Sequence, residues 1–267
     1  MSRFKQALKE LVPPILTTVI GGRYTKRCAT WEAARSKGTT YESNLLNKFR
    51  VDRHQLRKAD STLLDASILR MMVGIIQRED LRLTDFGGAT GDLGMEFARA
   101  FPDASVTVVE NATLVSMMEK QTTINFAKEM PNECDIFYSS GTLQYIDSPM
   151  QVLRAGFQSA KCGVVLVRNS FSESEAFHIQ TSRLFDNGVG PIPVGYRNER
   201  ISYPHRSIRE SEVLALAREL GVELIARLEE VSGQRGDTYG KQLVFLRRAS
   251  AAKISSNVYL AHARAAG

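Results

Sequence analysis

The chain has 267 residues, enough for one large α/β domain with an extension, or at most two small domains, and 43% of it is hydrophobic, which is ample for a core. A net charge of +6 admits an anionic partner, but there is no Lys/Arg block with interleaved aromatics, so nucleic acid is not expected to bind. Cys28, Cys134 and Cys162 are too few and too scattered for a disulfide framework or a zinc site, and no metal constellation appears elsewhere; reduced thiols in a cytoplasmic protein are expected.

In chain order, residues 2–12 place Phe4, Leu8, Leu11 and Val12 on one helical face, and Pro13 and Pro14 stop that helix. It is a membrane-surface contact, a helix docked on the domain or a frayed terminus. The first 20 residues lack the apolar region and cleavage pattern of a signal peptide, and no apolar run of about 18 residues predicts a membrane-spanning helix. A polar helix is expected over 29–35 around Trp31, the chain's single tryptophan, with a second opening at Tyr41 and running towards Phe49. Trp31 is either an aromatic lid over a ligand or a core anchor for the extension. Residues 60–79 carry Leu63, Leu64, Ile68, Met71, Met72, Ile75 and Ile76 at helical spacing.

Strands and helices then alternate. Strands are expected at 81–86, 104–110, 123–127, 135–140 and 163–168, and helices at 92–101, 112–120 and 148–160. After a long loop over 170–207 come a helix at 209–220 and strands at 222–228 and 242–247. Such alternation predicts a parallel sheet covered on both faces, and two closing strands with no helix between them predict a terminal antiparallel hairpin. The division expected is an N-terminal helical extension or lid over 1–59, an α/β domain over 60–248 and a C-terminal tail over 249–267.

Ligands of open α/β sheets bind at the carboxyl ends of the strands. The first strand carries Asp85 near its end and runs into a turn holding Gly87, Gly88 and Gly91. Glycines permit positive φ and close approach of a ligand to the backbone, and the helix that follows offers free N–H groups. Glu110 ends the second strand, about 20 residues on, the spacing at which a carboxylate meets a ribose diol. After the 135–140 strand come Ser139, Ser140, Leu143, Gln144 and Tyr145. Ser139 and Ser140 can be turn residues and Leu143 core; Gln144 and Tyr145 either contact substrate or pack. The long loop holds His178, Gln180, Tyr203 and His205. Either histidine suits a general base near neutral pH, or is structural. His54 and His262 sit in polar, peripheral contexts and are set aside.

The run DFGGATG (85–91) resembles motif I of class I S-adenosylmethionine-dependent methyltransferases, usually acid-x-G-x-G-x-G, with Ala89 in place of the middle glycine. It does not fit the G-x-G-x-x-G of dinucleotide sites. The resemblance implies a Rossmann-like, seven-stranded, mostly parallel sheet and S-adenosylmethionine as cofactor. Asp85 would lie under the methionine end or the glycine loop, Glu110 would bind both ribose hydroxyls, and the segment after the fourth strand would lie under the sulfonium and face the substrate. More closely, WEAA (31–34) with S-x-G and Tyr41, then DFGGxxG, Val109-Glu110, SSxxLQYI (139–146), Gln180 and SYP (202–204) are similar to a family of bacterial methyltransferases associated with surface-polysaccharide gene clusters. That implies methyl transfer to a hydroxyl or amine of a small molecule or sugar. A catalytically silent member of the fold that binds a partner, and an enzyme using another adenosine ligand, stay open.

Overall fold

The computed structural model of the protein describes residues 24–37, 43–57, 66–120, 122–188, 190–230 and 239–247. The expected helix over 2–12, the tail over 249–267, Tyr41 and His262 lie outside them, as does the first part of the 60–79 helix.

The described elements are β1 (Tyr24–Cys28), α1 (Trp31–Arg35), α2 (Asn44–Gln55), α3 (Ala66–Ile76), β2 (Arg82–Phe86), α4 (Asp92–Ala100), β3 (Ser105–Val109) and α5 (Ala112–Met118). Then follow β4 (Asn125–Ala127), β5 (Cys134–Ser140), a single 3-10 turn (Leu143–Tyr145), α6 (Pro149–Ser159), β6 (Ala160–Ser172) and β7 (Phe177–Arg183). After a second 3-10 turn (Leu184–Asp186) come β8 (Arg200–Arg206), β9 (Ile208–Arg209), α7 (Glu210–Glu219), β10 (Val222–Glu230) and β11 (Tyr239–Arg247).

The central sheet runs β10-β11-β6-β5-β2-β3-β4, with the two-residue β9 added on β6. The β4-β3-β2-β5-β6 ladders are all parallel, and β11 lies antiparallel between β6 and β10. The fold is thus α/β with a mostly parallel sheet. Successive residues of β6 explain its apolar run: Val164 and Leu166 pack on α6 and α7, while Val165 and Val167 pack on the face under α3 and α4. Both faces are buried, so polar alternation is absent. Met72 of α3 is fully buried whereas Met71 is exposed, which corrects the apolar face read for that helix.

A correction concerns 170–207, which is not one irregular loop. β7 and β8 form a hairpin and, with β1, a second antiparallel sheet in the order β1-β7-β8. The N-terminal segment therefore contributes a strand as well as helices. Trp31 is an anchor: it is buried, donates Nε1 to Asp147 Oδ1 at 2.9 Å and stacks under the Arg206 guanidinium at 5.0 Å. No helix among the described residues is long and apolar enough to cross a membrane.

Candidate active site

The strand order reverses between β2 and β5. From β2 the chain winds outward through β3 and β4, and from β5 it winds the other way to β6. The carboxyl ends of β2 and β5 thus frame the crevice where such sheets bind ligands. Two side chains bridge it directly: Thr142 Oγ1 donates to Gly87 O at 3.1 Å, and Ser139 Oγ donates to Phe86 O at 3.2 Å.

The glycine turn is tight. Gly87 has φ +74°, and a Cβ there would lie 2.1 Å from Thr142 Oγ1. A Cβ on Gly88 would lie 2.3 Å from Asp85 Oδ2. Ala89 itself adopts φ +52°, a conformation that costs an L-residue roughly 1 kcal/mol. Gly91, also left-handed, sits at the N-cap of α4.

Asp85 is 1% exposed, and neither carboxylate oxygen has a hydrogen-bond partner. Burial, and then the negative charge of Glu110, push its carboxyl up to about 7. An orphaned acid beneath a turn with no room for a Cβ is a place for a ligand that brings its own donors or positive charge. Glu110 is bonded on both oxygens: Oε1 accepts from Ala89 N at 3.1 Å, and Oε2 accepts from Asn111 N and Nδ2, each at 3.0 Å. It ties the glycine turn to the tip of β3 and keeps lone pairs for a diol. These features fit the adenosine and ammonium groups of the cofactor implied by the sequence.

Ser140 ends β5, and its carbonyl accepts weakly from Thr142 Oγ1 at 3.4 Å. Leu143 is fully buried in the core with Phe137, Leu153 and Phe157, which is the packing alternative for that residue. Gln144 is buried and donates Nε2 to Arg168 O at 3.2 Å; its Oε1 has no partner. Arg168 has φ +57° at a break in the β6–β11 register, just past the last residue of β6 that pairs with β5. Strain and bulges of this kind gather at functional sites.

The second group of sequence candidates assembles on the small sheet. The register pairs His178 with His205 and Gln180 with Tyr203, all four buried. Tyr145 joins this layer to the end of β5. Its hydroxyl donates to Gln180 Oε1 at 3.3 Å, and its ring stands edge-on to Tyr203 and His205 at 5.3 and 5.6 Å. Gln180 Nε2 donates to Tyr203 Oη at 3.0 Å. His205 Nε2 lies 3.0 Å from Ser170 Oγ, and the two imidazoles are 6.0 Å apart. Tyr145, Gln180, Tyr203 and both histidines therefore belong to one neighbourhood, with Gln144 beside Tyr145 in the chain but bonded to β6.

Several residues went unread in the sequence. His54, set aside as peripheral, lies 2.8 Å from Asp92 Oδ1, which Arg57 also pairs at 2.8 Å. Burial works against the Asp92 charge, but the hydrogen bonds from His54 and Thr90 outweigh it and hold the carboxyl below its usual range. Asn111 accepts from Leu114 N at 3.0 Å and from Asn47 Nδ2 at 3.2 Å. The one available signal was the Asn before a helix, a good N-cap. Two hollows of about 230 and 420 Å³ line the α6 and α7 surface and contain none of the candidate site residues; the first is bordered by Asp147 and Arg206, the partners of Trp31.

No protein-family model and no curated protein matches the sequence. Among solved structures, an S-adenosylmethionine-dependent methyltransferase from Clostridium acetobutylicum is 14% identical, with 76% of this chain and 99% of that one covered at a TM-score of 0.47. CalS10, an amino pentose methyltransferase from Micromonospora echinaspora, is 14% identical over 78% of this chain and 96% of that one, at 0.47. The CcbJ methyltransferase from Streptomyces caelestis is 12% identical over 76% of this chain and 98% of that one, at 0.46. Likeness at this level says nothing of what this chain does.

Proposed function

We propose that the protein is an S-adenosylmethionine-dependent methyltransferase of the cytoplasm, acting on a hydroxyl or amine of a small molecule or sugar. The observation that carries this reading is the buried, unpartnered Asp85 carboxylate under the glycine turn, with Glu110 bonded to that same turn. The sulfonium cofactor supplies an electrophilic methyl group when bound. Glu110 would hold the ribose hydroxyls, Asp85 would meet the positively charged methionine end, and the Ser139–Ser140 edge with Gln144 would border the reacting centre. Most of the acceleration would come from alignment of donor and acceptor. His205, held by Ser170 and the Tyr145 ring, is the histidine to which we assign proton removal from an acceptor hydroxyl.

Incubation with methyl-labelled S-adenosylmethionine and a library of amine and hydroxyl acceptors, amino sugars included, tests the reaction. A labelled product is expected, and its absence across the library with cofactor bound would move the reading to a silent binding protein. With an acceptor in hand, His205→Ala is expected to slow turnover by about 100-fold. Unchanged turnover removes His205 from the role of base.

A further inference from the structure

Helix α2 presents two sets of side chains at helical spacing. Asn47, Val51 and His54 recur at four and three residues, and Leu46, Phe49 and Arg53 at three and four, on the neighbouring face. The first set meets the glycine turn and the β3 tip. Asn47 donates to Asn111 at 3.2 Å, His54 pairs with Asp92 at 2.8 Å, and Val51 packs with Leu114, Met118 and Ala89. The second set meets the connection between β7 and β8. Arg53 donates to the carbonyls of Phe185 at 3.1 Å and Asn187 at 3.0 Å, and to Gly190. Phe49 stacks on Phe185 with centroids 5.8 Å apart and, with Leu46, packs in the cluster that contains Leu184 and Tyr203. Asp52 accepts from the Tyr196 hydroxyl at 2.6 Å.

One helix thus grips the cofactor edge with one face and the acceptor-side strands with the next. A buried guanidinium satisfied by backbone carbonyls is a rigid joint, because any slip leaves a charge unpaired in the interior. On the other face, the contact that would change on cofactor binding is specific. Asn111 gives both N–H groups to Glu110 Oε2, and its Oδ1 holds Asn47. A ribose diol taking lone pairs of Glu110 competes with Asn111 for that oxygen and moves the group to which Asn47 is tied.

We propose that α2 couples cofactor occupancy to the order of the acceptor side, with Asn47 and Arg53 as positioning residues at its two ends. The proposal rests on the cofactor reading above. Coupling is reciprocal: what the helix contributes to cofactor affinity, the cofactor returns as order in the β7–β8 connection. Arg53 therefore influences cofactor binding although its hydrogen bonds run to that connection and not to the Glu110 edge.

Hydrogen–deuterium exchange of the full chain, with and without S-adenosylhomocysteine, tests this. In the parent, the ligand is expected to slow exchange over 184–188 and 190–199. Arg53→Lys, which keeps the charge and loses the planar fork, is expected to abolish that slowing and to weaken S-adenosylhomocysteine binding about 5- to 10-fold. Asn47→Ser does the same from the neighbouring face, so the test stands if one variant folds poorly. A purely structural role for Arg53 raises exchange equally with and without ligand and leaves the ligand-induced difference in place. If the parent binds S-adenosylhomocysteine and the connection exchanges unchanged, or if both variants keep the slowing and the affinity, the proposal is overturned. A parent that fails to bind the ligand at all defeats the cofactor reading itself, and the binding isotherm tells the two failures apart.

Discussion

Asp85, the residue before the last of β2, lies in a place where water cannot reach it and no protein donor does. Its carboxyl, pushed up to about 7 by burial and then by Glu110, is neutral over a range where the unfolded chain's carboxyl, near 4, is already charged. Between those values the folded state holds a proton that the unfolded state lacks, so the contribution of Asp85 to stability falls as pH rises, by about 1 kcal/mol per pH unit. Asp85→Asn removes that slope. In urea denaturation of the cofactor-free protein from pH 5 to 7, the variant is expected to gain on the parent with each unit; parallel curves would show that the carboxyl is not held neutral. Asp85 and Glu110 were legible in the sequence because a strand, a tight turn, a short helix and a second strand fix their separation. Asp92 and Asn111 were not, since each works through a partner far along the chain, His54 and Asn47. Ala89 was read as a departure from a glycine pattern, and its positive φ gives the physical reason why glycine is the easier residue there.

At the scale of elements, the strands of the central sheet were readable because burial on both faces leaves apolar runs bounded by Gly, Asp and Asn. The small sheet was not readable. In β7 the buried positions are His178, Gln180 and Ser182, while Phe177 and Ile179 are half-buried, so the usual alternation is inverted. β8 carries Pro204, which argues against a central strand and is tolerated here because β8 lies at the edge of its sheet. A sheet that turns polar side chains inward was therefore read as loop, although four of its residues were picked out for chemistry. Trp31 left two roles open, and its bond to Asp147 and its stacking under Arg206 make it a clasp between α1 and the small sheet. Trp31→Phe keeps most of the packing and loses the hydrogen bond, so it is expected to cost about 1 kcal/mol in chemical denaturation. It should leave S-adenosylhomocysteine affinity unchanged; a weakened affinity would return Trp31 to the role of a lid over the ligand.

For the whole molecule, the reversal of strand order at β2 and β5 brings three sequence-distant groups to one edge: the glycine turn, the tip of β3 and the turn after β5. The small sheet then supplies a second polar layer across Tyr145, with α2 bridging the two. The role proposed for this edge is to hold S-adenosylmethionine through Glu110. Calorimetric titration of the purified chain with S-adenosylmethionine and S-adenosylhomocysteine, with NAD as the control, tests it most directly. Micromolar binding of the first two, weakened at least about 10-fold by Glu110→Ala, is the expected result for loss of two charge-assisted hydrogen bonds. No binding of either ligand at millimolar concentration, or equal binding by Glu110→Ala, would contradict it.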